Sequence, residues 1–319
     1  MRIQGGSALL RALLARAGVL VAVLLGAVVL VVSLVHLAPG DALDAQGIPE
    51  ALRPALEARW HLDLPVWQRV AIHLGEVLSG DLGTSLAYRP GTPVAEVILG
   101  PARRSAVWLF SALALTLTWG TALALYTAGR ASAHRVALRT VSILPVFLLA
   151  HLSVNALNEG AFAAMNAGWI DRPDWFALPD QASALRTALA VVLLAVGSGG
   201  LTEVHAAMER AVTSARRSPW AEAALARGEP LAPHLWRHLL LALTDLSLHR
   251  VAFLIGGLVI LEKVLLLHGV GFILWDAALH RDSPVVAGIT LLAAAVLAVV
   301  RLAGDALRLT LDPRLRSDP

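Results

Sequence analysis

"SAVWLFSALALTLTWGTALALYTAG" (residues 105–129) runs without a single charged residue. As a helix rising 1.5 Å per residue, it exceeds the roughly 30 Å of hydrocarbon in a bilayer. The whole chain agrees with that stretch: over 319 residues it is 57% hydrophobic and 15% charged, with a mean hydropathy of +0.69. A soluble domain carries about 25% charged residues. The class is therefore an all-α integral membrane protein.

Working outward, apolar runs centred on 17–36, 140–157, 185–204, 241–261 and 284–303 join 105–127 as candidate spans, six in all. The run at 140–157 contains Pro145, His151 and Asn155, and the run at 241–261 is interrupted by Asp245, His249 and Arg250. The first run has the basic flank of a secretory signal. It is longer than a typical 7–15-residue signal core, and "VHLAPGD" lacks an Ala-x-Ala cleavage site, so it reads as a retained span, with cleavage as the alternative.

Arginine placement sets the expected orientation. The N-terminus, the 128–139 turn, the 206–238 loop (Arg210, Arg216, Arg217, Arg227, Arg237) and the tail are arginine-rich. The 158–184 loop sets Glu159, Asp171, Asp174 and Asp180 against one Arg172. Both termini are expected to be cytoplasmic, in a cell (inner or plasma) membrane. Arg103 and Arg104 fall on the other side, after a segment long enough to weaken the rule.

The organisation expected is a cytoplasmic N-terminus and first span (1–38), an external segment (39–104), and a five-helix core (105–319) with a loop at 206–238 and a tail at 305–319. Within 39–104, the spacing of Leu52, Leu56 and Trp60, then Val66, Val70, His73 and Leu74, predicts short amphipathic helices opening near Pro49 and Pro65. The formal net charge is only +3 and no basic face is interleaved with aromatics, which argues against a nucleic-acid partner. With no cysteine there are neither disulfides nor thiolate metal sites.

A polar stretch, "AEAALARGEPLAPHLWRH" (221–238), separates two apolar runs. Ala and Leu favour helix up to Arg227, Gly228 permits a sharp turn, and Pro230 suits the first turn of a second short helix. Such a helix–turn–helix can dock on a soluble partner, or can be an Ala-rich loop with no partner. Asp245 and His249 share a helical face, with Arg250 adjacent near mid-membrane. Charges there line a water path or neutralise one another as an Asp–His or Asp–Arg pair. His234 and His238 also share a face, but residue 235 is Leu where a metalloprotease helix needs Glu, so no metal site is assigned. "GSGG" (197–200) has the wrong order for a hydrolase elbow and reads as close helix packing by small residues.

In its motifs the chain resembles ABC-importer permeases of the dipeptide/oligopeptide/nickel family. Glu222-Ala223-Ala224 with Gly228 looks like their Glu-Ala-Ala-x-x-x-Gly signature. "HLAPGD" (36–41), "ARWHLDLPVWQRVAIHLGEVLSGDLGTSL" (58–86), "ALARG" (224–228), "LVILEKVLLLHGVGFILWDAALHRDSPVV" (258–286) and "LDPRLR" (311–316) are similar, in order, to that family's conserved segments. His238 falls where the family places Arg-His. Three features depart from the pattern: a shortened stretch after His238, His268 in place of a proline, and Pro230 with Pro233 soon after the glycine.

The resemblance implies the six-span fold of type I ABC importers. It implies a permease subunit for peptides or a related small solute such as a nickel chelate. Its partners would be a second homologous permease, two cytoplasmic ATPase subunits, an extracytoplasmic substrate-binding protein and membrane lipid. Glu222, Ala223, Ala224, Gly228 and His238 would contact the ATPase; Asp245, His249, Arg250 and Asn155 are, from their polarity within the spans, the candidates for lining the path. The chain has no Gly-x-x-x-x-Gly-Lys-[Ser/Thr], so ATP would be bound by the partners and no cofactor by the chain itself. A membrane-embedded enzyme and a transport-inactive or scaffold paralogue are the competing readings.

Overall fold

A computed structural model describes residues 4–37, 43, 49, 52–61, 63–127, 140, 143–171 and 184–311. Among these the chain is helical, apart from turns and one isolated antiparallel bridge between Thr84 and Pro93. The helices are α1 (Gln4–Leu37), α2 (Arg53–Arg59), α3 (Val66–Leu78), α4 (Val94–Thr127), α5 (Val146–Asn166), α6 (Ala184–Val196), α7 (Gly200–Arg216), α8 (Pro219–Ala226), α9 (Ala232–Val264), α10 (Val270–Leu279) and α11 (Ser283–Leu311).

Among the described residues, three helical segments are long and apolar enough to cross a membrane: Val94–Thr127, His238–Val264 and Ser283–Arg308. A fourth arises if α6 and α7, bent by 47° at a short break, act as one span. The apolar part of α1, Gly18–Leu34, is shorter. Proline moves two of the expected boundaries. Pro145, extended at ψ 146°, is the N-cap of α5, which starts at Val146, a position where its missing N–H and fixed φ cost nothing. Pro54, not Pro49, stands in the first turn of α2.

The chain divides into two compact units. The first comprises residues 1–105 and 268–302. In it α3 packs on α1, Val70 and Leu74 closing over Val28, Val32 and Ala287. These are two of the periodic positions read from the sequence. A second cluster gathers Val94, Val97, Ile98, Ile273, Ala277, Val285 and Ile289. Val94 lies so close to Gly288 that a methyl there would stand 2.7 Å from its Cγ1.

The second unit comprises 106–267 and 303–319. Its core is Ala124, Val204, Met208, Val212 and Leu239, sheathed by Leu117, Leu235 and Leu246. Helices approach closely at two glycines: a Cβ on Gly120 would lie 2.5 Å from Val204, and one on Gly197 would lie 2.8 Å from Val146. With no hydrophobic drive between helices in lipid, such contacts supply the packing. "GSGG" does pack closely, as the sequence suggests, and it also breaks the helix. Residues 197–199 form one 3-10 turn, and Gly199 takes φ 79°.

Candidate functional site

The Glu-Ala-Ala-x-x-x-Gly stretch forms a short capped helix. Ser218 is extended (ψ 149°), Pro219 follows in the first turn of α8 and Glu222 completes that turn, where helix polarity favours a carboxylate. Gly228, at φ 72°, ends the helix. The Glu229 N–H donates to the Ala224 carbonyl (2.9 Å) and the Gly228 N–H to the Leu225 carbonyl (3.0 Å), the paired bonds of a Schellman stop. Arg227 clamps Glu229 with two hydrogen bonds, of 2.8 and 3.0 Å.

Ala221 and Ala224 are buried, whereas Glu222, Ala223, Leu225 and Gly228 face out. The predicted second short helix is corrected by the structure: α9 begins at Ala232 and continues unbroken to Val264. A proline in its first turn starts it, and no further proline follows to stop it. His238 lies on this helix, its ring stacked on Trp220 with centroids 5.2 Å apart and planes 4° from parallel. The exposed face of α8 is thereby tied to the long helix.

The charges of the fifth run find partners the sequence reading did not consider. Asp245 Oδ1 meets Arg308 Nε of α11 at 2.6 Å. Arg250 Nη1 meets Glu203 Oε2 of α7 at 3.1 Å. Neither an Asp245–His249 nor an Asp245–Arg250 side-chain pair forms; His249 Nδ1 instead approaches the Asp245 carbonyl at 2.9 Å. Asn155 is exposed on α5 and bonds His151 across one helical turn at 3.2 Å. No spacing in the sequence links Glu203 to Arg250 or Arg308 to Asp245, because the partners stand on different helices.

The motif "RDSPVV" holds the most buried carboxylate contact of the first unit. Asp282 is fully buried. Its Oδ2 accepts from the Ser85 hydroxyl at 2.5 Å and from the backbone N–H groups of Leu86 (3.0 Å), Ala87 (3.0 Å) and Tyr88 (2.9 Å). The tie thus joins the "GDLGTSL" segment to the start of α11, two motifs quoted separately from sequence. Nearby, Arg104 donates twice to the His268 carbonyl (2.9 and 2.6 Å), so that turn is fixed although proline is absent. A cavity of about 180 Å³ in this unit is lined by Trp60, His61, Arg69, His73, Glu76 and Thr84 among others. No cluster of three or more metal-ligating side chains occurs among the described residues.

Long apolar helices, one pair broken at glycine beside an internal ion pair, define a multi-pass membrane protein. Residues 117–317 match the family of binding-protein-dependent transport system inner membrane components, and the chain belongs to that family. A Brucella ovis protein named as a peptide permease is 26% identical, covering 92% of this chain and 95% of the relative. The dipeptide transport system permease protein DppB of Escherichia coli is 25% identical, covering 97% and 99%. The oligopeptide transport system permease protein AppB of Bacillus subtilis is 26% identical, covering 92% and 95%. The resemblance to dipeptide and oligopeptide ABC permeases, read first from the motifs, is the one these comparisons support. The chain is a membrane component of a transport system.

Proposed function

We propose that this chain is one of two permease subunits of an ATP-driven importer of peptides or a related small solute. It would have six spans and cytoplasmic termini. Residues 221–238 would seat in cytoplasmic ATPase subunits, and a substrate-binding protein would dock on the outer side. ATP is bound by those partners and the chain itself carries no cofactor. Asp245, His249, Arg250 and Asn155 belong to the walls of the path.

The single observation that carries the reading is the build of α8. Its outward face presents Glu222, Ala223 and Leu225, of which Leu225 is 58% exposed. That helix is stopped rigidly at Gly228 and stacked through Trp220 on His238 of the long α9. A push on α8 is therefore delivered to a membrane helix as rigid-body motion rather than absorbed by a loop.

Gly228→Pro tests it. Proline fixes φ near −65°, against the observed 72°, and deletes the N–H that bonds Leu225. The substitution should abolish co-purification with the ATPase subunits and uptake of labelled dipeptide, while Gly228→Ala, strained by about 1–2 kcal/mol but with open space around its methyl, should retain both in part. Unchanged association in Gly228→Pro overturns the docking role.

A further inference from the structure

A glycine-rich 3-10 turn separates α6 from α7, and a charge sits against it. Gly200 restarts the helix at a point where an added methyl would overlap Nη2 of Arg250 and stand 2.6 Å from the Ala195 carbonyl. The Arg250 side chain is 4% exposed, while that of its counter-ion Glu203 is 49% exposed. Arg250 also lies over the Phe253 ring, 5.2 Å from its centroid. Among the described residues its Nε has no hydrogen-bond acceptor. The pair is neutral as a whole, but its negative end faces outward and its positive end is withdrawn.

An exposed carboxylate on a helix within the membrane has few tolerable surroundings. Facing hydrocarbon, it is strongly disfavoured. Non-helical backbone at membrane depth is tolerated where it is buried or lines a water-filled cavity, and interrupted helices in transporters mark binding sites. The glycine break and the half-exposed Glu203 occupy the same turn. Glu203 stands in the first turn of α7, where helix polarity favours a carboxylate.

We propose that the Glu203 carboxylate recognises the primary ammonium group of the transported solute, with Arg250 as the positioning residue behind it. This rests on the permease reading above. The solute class follows from which charge is presented: a cation meets Glu203, whereas an anion would have to displace it to reach a shielded guanidinium.

The chain has no native cysteine, so in membrane vesicles holding the chain and its partner subunits a thiol reagent can label this chain only at the residue introduced in Glu203→Cys. Uptake of dialanine should fall about tenfold in Glu203→Cys and Glu203→Gln, as loss of one ion pair of ordinary strength requires. An anionic sulfonatoethyl label on Cys at 203 should restore uptake; neutral methyl and cationic aminoethyl labels should not. Saturating dialanine should slow the labelling reaction several-fold.

Restoration by the anionic label without protection by dialanine would reduce Glu203 to a structural partner of Arg250 and overturn the proposal. So would full uptake in Glu203→Gln. If Glu203→Gln fails to reach the membrane, labelling and protection of the cysteine variant decide alone. Absence of any dialanine uptake by the unaltered chain is a different result, which overturns the peptide-import reading and the proposal with it.

Discussion

Asp282 in the first unit and Arg250 in the second are both charges withdrawn from solvent, yet they are satisfied in opposite ways. Asp282 receives a hydroxyl and three backbone N–H groups on one oxygen, all from the short 85–88 segment. Arg250 has one carboxylate, a ring face and an Nε without an acceptor among the described residues. A buried charge with every valence filled fixes a structure; one left partly unfilled beside a broken helix can exchange partners. The 85–88 segment is pinned, whereas the interhelical ion pair keeps one unfilled donor.

The comparison breaks most visibly at Asp282. Asp282→Ala should destabilise the first unit by about 3 kcal/mol or more, since each buried donor left unpaired costs roughly 1–3 kcal/mol. Thermal unfolding in detergent and protease cleavage within 79–93 would report it. A variant with unchanged melting and cleavage would show that the tie is dispensable.

A smaller effect sharpens the second half of the contrast. Gly200→Ala should gain about 0.5–1 kcal/mol from helix propensity, but the overlap with Arg250 should cost about 1–3 kcal/mol. Net destabilisation is expected, relieved only in part when Arg250→Ala is added, because the Ala195 carbonyl still stands 2.6 Å from the methyl. A stabilised single variant would mean that the guanidinium does not sit against the break.

The smallest effect concerns His73, on α3 outside the spans. Burial holds its pKa below the ordinary 6.5, aided by Arg69 and opposed by Glu76, whose carboxylate is 3.2 Å away. The unfolded chain then takes up the proton first as pH falls, so folded stability present above 6.5 declines below it. Melting temperature measured from pH 7.5 to 5.5 should fall less in His73→Gln than in the unaltered chain.

Much was readable in advance. The apolar runs announced the helices of a membrane protein because hydrocarbon tolerates little else, and the register of Val70 and Leu74 told which face of α3 packs on α1. Gly228 was legible as a turn since few residues accept a positive φ. The motif order pointed to the family before any coordinates. Helix ends were less legible: α5 opens only after Pro145, and α9 absorbed what the residues suggested was a separate helix. The Trp220–His238 stack could not be inferred, because the two residues stand on different helices.

By itself the sequence determined the solvent this chain lives in, its helical periodicity and its turn chemistry, all of which depend on neighbours along the chain. Tertiary structure alone decided which charges meet: Arg250 with Glu203, Arg308 with Asp245, Asp282 with a loop nearly two hundred residues upstream. Local order follows from short-range sterics and hydration, whereas a charge chooses its partner by distance in space, and that distance exists only once the helices have packed.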